Sequence, residues 1–183
     1  MNKMNFVKIL VLCWLALLST SSFAQQSNQQ MAQYQLGAGD VITINVYGEP
    51  ELSMTTRLPD VGTINYPFLG EVKLVGLTLN QVESTIYNGL LGDYLINPSV
   101  SVNITEYRPF FIDGAVKKPG GYPYQPGLSV NKAAAIAGGY TERADKKEIQ
   151  IVRTINGQSR TIAVSISDMI QPGDVITVAN GYF

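Results

Sequence analysis

The stretch Leu36-Gly-Ala-Gly-Asp-Val-Ile-Thr-Ile-Asn-Val-Tyr47 decides the fold, because its central phrase returns near the far end of the chain. Gly39-Asp-Val-Ile-Thr43 is repeated as Gly173-Asp-Val-Ile-Thr177. Each copy places a Gly-Asp turn before an alternating apolar and polar run, which predicts a strand with one buried face. Because Gly-Asp turns often precede strands, this repeat alone is compatible with either chance or shared turn chemistry.

A second repeat favours two related modules. Gly76-Leu-Thr-Leu-Asn80 and Gly127-Leu-Ser-Val-Asn131 each place Thr or Ser between apolar residues at the start of a helical pattern. That position is where a hydroxyl side chain caps a helix N-terminus. We therefore predict an α+β fold made of two small mixed domains.

The composition excludes several classes of function. The chain has 183 residues, 45% of them hydrophobic, which is enough for a folded core. Its formal charge is -1 without a basic tract, so we expect no nucleic-acid partner. With no histidine and one cysteine, the commonest general base and zinc sites built from nitrogen and sulfur are absent. We expect no catalytic residue, no metal and no cofactor.

An enzyme would have to work with carboxylates, Lys, Tyr or Ser. Glu49 and Glu51 are the best carboxylate pair, but Pro50 between them predicts a surface turn and not an active site. The sequence therefore favours a protein that is not an enzyme.

The first 24 residues have the three parts of a secretory signal. Basic residues come first, an apolar run follows over 9–18, and Ser22-Phe-Ala24 predicts cleavage between Ala24 and Gln25. The apolar run is shorter than the ~20 residues that a bilayer-spanning helix needs. We expect a mature chain that begins at Gln25 in the periplasm.

Two details refine this expectation. Cys13 raises the alternative of a lipoprotein, but Leu12 stands where the lipidation motif needs a small residue. Residues 25–33 are rich in Gln, Ser and Asn without apolar periodicity, which predicts a flexible leader before the fold begins at Tyr34.

The first module is predicted over residues 34–107. Alternating runs predict strands near both ends of it and two short strands on either side of Pro67. Thr78-Leu-Asn-Gln81 fits a capping box, apolar residues then recur at helical spacing, and Gly92 supplies a stop. One apolar helix face is therefore expected to pack on the sheet.

The second module is predicted over residues 108–183. Its predicted elements are, in order, a strand, a turn, a strand, a short helix capped by Ser129, a hairpin and a final strand. This order favours a β-grasp arrangement. Gly138-Gly139 is expected to end the helix, and Asn156-Gly157 is expected to form the hairpin turn. The mixed charge run 142–148 is expected to be a solvated loop.

The first module resembles the polysaccharide export domain of the outer membrane polysaccharide export (OPX) proteins. The matching phrases, in the order of that family, are Tyr34-Gln-Leu-Gly-Ala-Gly-Asp-Val-Ile-Thr-Ile-Asn-Val-Tyr-Gly-Glu-Pro-Glu-Leu52, Asp60-Val-Gly-Thr-Ile64, Pro67-Phe-Leu-Gly-Glu-Val72, Gly76-Leu-Thr-Leu79 and Asn97-Pro-Ser-Val-Ser-Val102.

The second module resembles the SLBB (soluble ligand-binding β-grasp) domain of the same family. Here the matching phrases are Gly114-Ala-Val-Lys-Lys-Pro-Gly-Gly-Tyr122, Pro126-Gly-Leu-Ser-Val130, Ala137-Gly-Gly139 and Pro172-Gly-Asp-Val-Ile-Thr-Val178.

This resemblance implies a periplasmic protein associated with the outer membrane that forms a homo-oligomeric ring and conducts a capsule polysaccharide or exopolysaccharide. It also implies an inner-membrane polysaccharide copolymerase as a partner. Larger members of the family carry a lipidated cysteine, further SLBB domains and a C-terminal helix that crosses the outer membrane. Since only a short segment follows Val178, we expect a separate outer-membrane β-barrel to complete the passage.

A periplasmic carbohydrate-binding module without a transport role is the alternative function. Aromatic faces suit sugar rings, and the chain has ten tyrosines. Four of them lie in or near predicted turns and are candidate polysaccharide contacts: Tyr66, Tyr122, Tyr124 and Tyr140. A packing role is the competing interpretation for each of them.

Overall fold

A computed structural model describes residues 34–155 and 157–181. The predicted signal peptide, its cleavage site between Ala24 and Gln25, and the leader at 25–33 lie outside the described residues. So does Asn156, which belongs to the predicted Asn-Gly turn.

The first module is built on a three-stranded antiparallel sheet with the strand order β2-β1-β5. Beside it lies a separate two-stranded hairpin of β3 and β4. The elements are β1 (Val41–Val46), a 3-10 helix (Pro50–Leu52), β2 (Met54–Arg57), β3 (Thr63–Tyr66), β4 (Gly70–Lys73), α1 (Leu79–Leu90) and β5 (Val100–Glu106). The 3-10 helix places Glu51 in a surface turn, in agreement with the interpretation drawn from Pro50.

Helix α1 follows directly from its sequence signals. The Thr78 hydroxyl accepts a hydrogen bond from the Gln81 backbone N–H, and the Gln81 side chain accepts one from the Thr78 N–H, which completes the predicted capping box. The apolar face of the helix is buried together with the inner face of the sheet: Val82, Ile86 and Leu90 from α1, and Ile42, Ile44, Val46 and Val102 from the strands. Burial of each such side chain stabilises the fold by about 1.5–3 kcal/mol.

The second module is a five-stranded sheet with the strand order β7-β6-β10-β8-β9, in which the last strand lies parallel to β6. This is the order of a β-grasp sheet, so the predicted arrangement is confirmed. The elements are β6 (Phe110–Gly114), β7 (Gly120–Tyr122), α2 (Val130–Ile136), β8 (Ala144–Ile155), β9 (Gln158–Val164) and β10 (Val175–Asn180). Helix α2 covers one face of the sheet through the buried residues Val130, Ala133 and Ala134.

The ends of α2 also agree with the sequence. The Ser129 hydroxyl accepts a hydrogen bond from the Lys132 backbone N–H at the N-terminus. At the C-terminus Gly138 and Gly139 have φ values of 82° and 90°, in the left-handed region that glycine reaches without a steric cost.

The expectation of a loop over residues 142–148 is wrong for most of that run. Strand β8 begins at Ala144, because its backbone pairs with the end of β10, where Asn180 lies opposite Ala144. The side chains of Lys146, Lys147 and Glu148 remain exposed on that strand. The charge pattern therefore predicted exposure correctly, while pairing with a distant strand set the backbone conformation.

Within residues 34–155 and 157–181, no helix is both long enough and apolar enough to cross a membrane.

Candidate functional site

Tyr66, the first candidate polysaccharide contact, lies in the core. Its side chain is 1% exposed, and its hydroxyl donates a hydrogen bond to the Leu52 carbonyl oxygen at 2.7 Å. Burial raises the pKa of this phenol above its ordinary value. A ring this buried has no face left for a sugar, so the prediction for Tyr66 is wrong. The cause is its place at the end of β3, opposite Gly70, on the same buried face of the strand as Ile64.

Tyr122 and Tyr124 are both partly buried against the core of the second module. The Tyr122 ring lies against Phe110 with 5.9 Å between ring centroids, and its hydroxyl donates to the Lys118 carbonyl oxygen at 2.6 Å. Tyr124 meets Tyr107 edge to face at 5.4 Å. Burial raises the pKa of Tyr124, and the neighbouring Tyr107 and Asp174 raise it further. Part of each ring surface is open, so a polysaccharide contact at either residue stays a prediction.

Tyr140 has a different environment. Its ring is partly buried, the Lys146 ammonium lies 5.1 Å from the ring centroid, and burial raises the pKa of the phenol. Its hydroxyl oxygen is buried and has no hydrogen-bond partner among the described residues. A contact between Tyr140 and a polysaccharide likewise stays a prediction.

The two Gly-Asp turns that decide the fold have the same local structure. Asp40 and Asp174 are 0% and 1% exposed, and each accepts a hydrogen bond from the backbone N–H three residues earlier. Those donors are Gly37 at 2.8 Å and Gln171 at 2.6 Å. A buried carboxylate needs a charged partner as well as backbone donors, and each of the two turns has an arginine.

Arg108 is the partner of Asp40 and lies where the first module meets the second. Its backbone N–H donates to Asp40 Oδ1 at 2.7 Å, and its Nη1 lies 3.1 Å from Asp40 Oδ2. Its Nε donates to the Pro172 carbonyl oxygen at 3.1 Å. One side chain therefore joins the Gly-Asp turn of the first module to that of the second. Gly37 and Gly173 leave the room for it, since a Cβ atom at either position would collide with the Arg108 guanidinium group.

Arg153 is the partner of Asp174. Its Nε and Nη2 donate to the two carboxylate oxygens at 2.8 and 2.7 Å, a bidentate pair. The hydrogen bonds to Asp174 are the main reason that the pKa of Arg153 is raised. Beside the junction, burial and then the charge of Asp40 raise the pKa of Tyr107. The Asp40–Arg108 ion pair thus connects the first module to the second, while the Arg153–Asp174 pair lies within the second module.

Sequence reasoning missed an exposed aromatic pair on the first module. Phe68 is 63% and Tyr94 46% exposed, their rings stack with 4.9 Å between centroids, and the Tyr94 hydroxyl donates to the Phe68 carbonyl oxygen at 3.2 Å. Phe68 has φ = 64°, and it is the one non-glycine residue in the described ranges with a positive φ. A bulky side chain in that conformation is strained, and such strain is concentrated at functional sites. The only sequence signal was the position of Phe68 after Pro67, in a tight turn.

The outer face of the first sheet is polar. The Thr43 hydroxyl lies 2.8 Å from the Thr55 hydroxyl and 2.9 Å from the Thr105 hydroxyl, so one row of hydroxyl groups crosses all three strands. Asn45, Ser101 and Asn103 extend this exposed face. Hydroxyl and amide groups both donate and accept hydrogen bonds, so this face is well suited to contact with water.

Small-molecule and metal sites have little support among the described residues. An open groove of about 250 Å³ between α1 and β5 is lined by Glu83, Ser84, Tyr87, Asn88 and Val100. It is smaller than the ~300–1,000 Å³ that is usual for ligand pockets. Residues 34–155 and 157–181 contain no group of three or more His, Cys, Asp or Glu side chains placed to hold a metal ion.

Several curated proteins are similar to this chain. The exopolysaccharide production protein ExoF of Rhizobium meliloti (strain 1021) is 29% identical over 168 residues, which cover 84% of this chain and 39% of ExoF. The EPS I polysaccharide export outer membrane protein EpsA of Ralstonia nicotianae is 25% identical, covering 78% of this chain and 44% of EpsA. The capsule polysaccharide export outer membrane protein CtrA of Neisseria meningitidis serogroup A is 25% identical, covering 88% of this chain and 51% of CtrA. The chain thus spans about half or less of the length of these relatives.

Two family models match consecutive parts of the chain. The model described as polysaccharide biosynthesis/export protein matches residues 28–105, and the model described as SLBB domain matches residues 109–163. The two matches fall on the three-stranded and five-stranded sheets respectively, in the order that the resemblance predicted. The chain therefore carries an export domain that matches the polysaccharide biosynthesis/export protein family, followed by an SLBB domain.

Proposed function

We propose that this protein is a periplasmic component of a machine that exports a capsule polysaccharide or an exopolysaccharide. In this proposal the chain forms a homo-oligomeric ring associated with the outer membrane and passes the polymer onward without a catalytic step. An inner-membrane polysaccharide copolymerase delivers the polymer to the ring, and a separate outer-membrane protein receives it. The domain boundaries are proposed at 34–107 and 108–183.

The consecutive match to the export and SLBB family models carries the proposal. The names of the relatives add support, since two of them are called polysaccharide export outer membrane proteins. The polar outer face around Thr43 is compatible with a wall along which a hydrated chain moves. Weak, exchangeable hydrogen bonds suit such a wall, because tight binding at each step would stop the polymer.

Deletion of the gene tests the export function. Surface polysaccharide is expected to fall to the background of a strain that makes none, while the sugar-nucleotide precursors remain at normal levels. Re-expression of the full chain is expected to restore the surface polymer. Normal surface polymer in the deletion strain, with no paralogue in the genome, would overturn the proposal.

A carbohydrate-binding module is the second candidate function, and the stacked pair of Phe68 and Tyr94 is the observation that favours it. An exposed, strained aromatic ring offers a face on which a pyranose ring can pack. Isothermal titration calorimetry of the monomer with short fragments of the host surface polysaccharide measures the binding affinity, which distinguishes the two functions. Tight binding that Phe68→Ala abolishes would favour the module, whereas weak binding that this change leaves alone fits the conduit.

A further inference from the structure

Among the strands that the structure describes, none pairs with the outer edge of β9 in the five-stranded sheet. Strand β9 stands last in the strand order, next to β8, and six of its seven residues are exposed. The opposite edge strand, β7, has only three residues. A long exposed edge strand presents a row of backbone donors and acceptors, which makes it a template for a further strand.

The register of the hairpin shows which backbone groups point outward. Ile155 lies opposite Gln158 across a two-residue connection, so these two residues form a hydrogen-bonded pair. Pairs then alternate along the hairpin, and Arg160 and Ile162 also bond to β8. Ser159, Thr161 and Ala163 therefore direct their N–H and C=O groups away from β8. The Thr154 and Ser159 hydroxyls, 3.5 Å apart, agree with this assignment, because side chains approach most closely in the pairs that share no backbone hydrogen bond.

The side chains of this edge fit a protein contact. The residues that point their backbone outward, Ser159, Thr161 and Ala163, have short side chains. Apolar side chains nearby are left partly exposed, with Val152 at 37%, Ile155 at 39% and Ile162 at 36%. A single copy of the chain therefore leaves this hairpin incompletely buried.

The distribution of charge indicates what covers the edge. Residues 34–107 contain eight acidic and two basic residues, a formal charge of -6. Residues 108–183 contain six acidic and nine basic residues, a formal charge of +3. The second module of one copy thus attracts the first module of another and repels a second module like itself. A contact between unlike surfaces repeats head to tail and can close into a ring.

We propose that the β9 edge, residues Gln158–Val164, binds the acidic first module of a neighbouring copy of the chain. This contact rests on the ring of the proposed function and identifies one of its two faces. Backbone hydrogen bonds from Ser159, Thr161 and Ala163 give the contact its geometry, and the opposite charges of the two modules set its direction.

Proline at position 161 tests the role of the backbone. Thr161→Pro removes an N–H that none of the described strands of the same copy uses, and proline is tolerated at such edge positions. Thr161→Val keeps the N–H and serves as the matched control. Sedimentation velocity of the protein from Gln25 onward is expected to show oligomers for the wild type and for Thr161→Val, and about tenfold weaker association for Thr161→Pro. Far-UV circular dichroism verifies that all three proteins are folded.

Mixing two variants tests the head-to-tail arrangement. The first variant is Thr161→Pro. The second is Glu51→Gln/Asp60→Asn/Glu71→Gln/Asp93→Asn, which neutralises four exposed carboxylates of the first module. Each variant alone is expected to associate weakly, while a mixture gains mixed dimers, since the intact β9 edge of one meets the intact acidic module of the other. A salt concentration of about 1 M is expected to weaken the wild-type oligomer, because it screens charges beyond ~3 Å.

Three results would overturn this inference. They are a wild-type protein that stays monomeric, a Thr161→Pro variant that associates as the wild type does, and a mixture without mixed dimers. The last would indicate pairing of β9 with β9. None of them decides the export function, which the surface polysaccharide of the deletion strain tests separately.

Discussion

At the scale of single residues, Asp40 and Asp174 explain why the Gly-Asp phrase occurs twice. Each carboxylate lies at the end of a turn, where it accepts a hydrogen bond from the backbone N–H three residues earlier. Both side chains are buried. An unpaired charge there would cost several kcal/mol, so each turn needs a cation. The partners, Arg108 and Arg153, come from different positions in the two modules, which is why the repeat in the sequence did not reveal them.

The hydroxyl of Tyr140 provides the first prediction. It is buried without a hydrogen-bond partner among the described residues, so Tyr140→Phe removes a desolvated polar group and is expected to stabilise the protein by about 1 kcal/mol. Tyr66→Phe is the matched comparison, because it deletes the hydrogen bond to the Leu52 carbonyl oxygen and is expected to destabilise by a similar amount. Urea unfolding at pH 7 measures both. Equal effects of the two changes would contradict this account of Tyr140.

Partly or fully buried phenols predict a loss of stability at alkaline pH. Burial raises the pKa of Tyr66, Tyr107, Tyr124 and Tyr140 above 10.0 in the folded chain. The unfolded chain therefore loses these protons first as the pH rises, and the free energy of unfolding falls from about pH 10 upward. Thermal melts between pH 8 and pH 11 measure the fall, which Tyr124→Phe is expected to reduce. The same change at the exposed Tyr47 is the control, and an equal effect of both changes would refute the prediction.

At the scale of elements, the sequence predicted structure wherever a local signal acts alone. Thr78 and Gln81 set the start of α1, and the connection at 156–157 sets the register of β8 with β9. Local signals failed where pairing with a distant strand determined the backbone conformation. Pairing with β10 is the reason that the charged residues after Ala144 belong to strand β8 and not to a loop. The prediction for Tyr66 failed for a different reason, because Tyr66 shares the buried face of β3 with Ile64 although it stands directly before the turn at Pro67.

The end of α2 gives the prediction at this scale. Gly139 has φ = 90°, and a Cβ atom added there would meet nothing within 4 Å, so backbone strain is the whole cost of a substitution. Gly139→Val is expected to destabilise by about 1–2 kcal/mol or more, since a β-branched residue resists the left-handed region. Gly139→Asn should cost less, because asparagine visits that region more readily. Thermal melts rank the variants, and normal stability of Gly139→Val with failed export would identify this turn as a functional surface.

At the scale of the whole molecule, one side chain joins two sheets that have separate cores. Arg108 bonds to Asp40 in the turn before β1 and to the Pro172 carbonyl oxygen in the turn before β10. These are the two turns that the repeated phrase forms. The fold thus rests on a polar junction as well as on two hydrophobic cores. In the proposed ring, this junction would also set the orientation of each module relative to the neighbouring copy.

Arg108→Ala tests that coupling. The change removes the side-chain bonds to Asp40 and Pro172 and takes away the guanidinium group that pairs with the buried Asp40 carboxylate, so we expect destabilisation by about 2–3 kcal/mol. We also expect calorimetry to show one cooperative transition for the wild type and two transitions for the variant, as the modules lose their link. Arg57→Ala is the control, because its ion pair with Glu106 is exposed and contributes ~0–1 kcal/mol. A single transition with unchanged Tm in Arg108→Ala would mean that apolar contacts, and not this arginine, hold the two modules together.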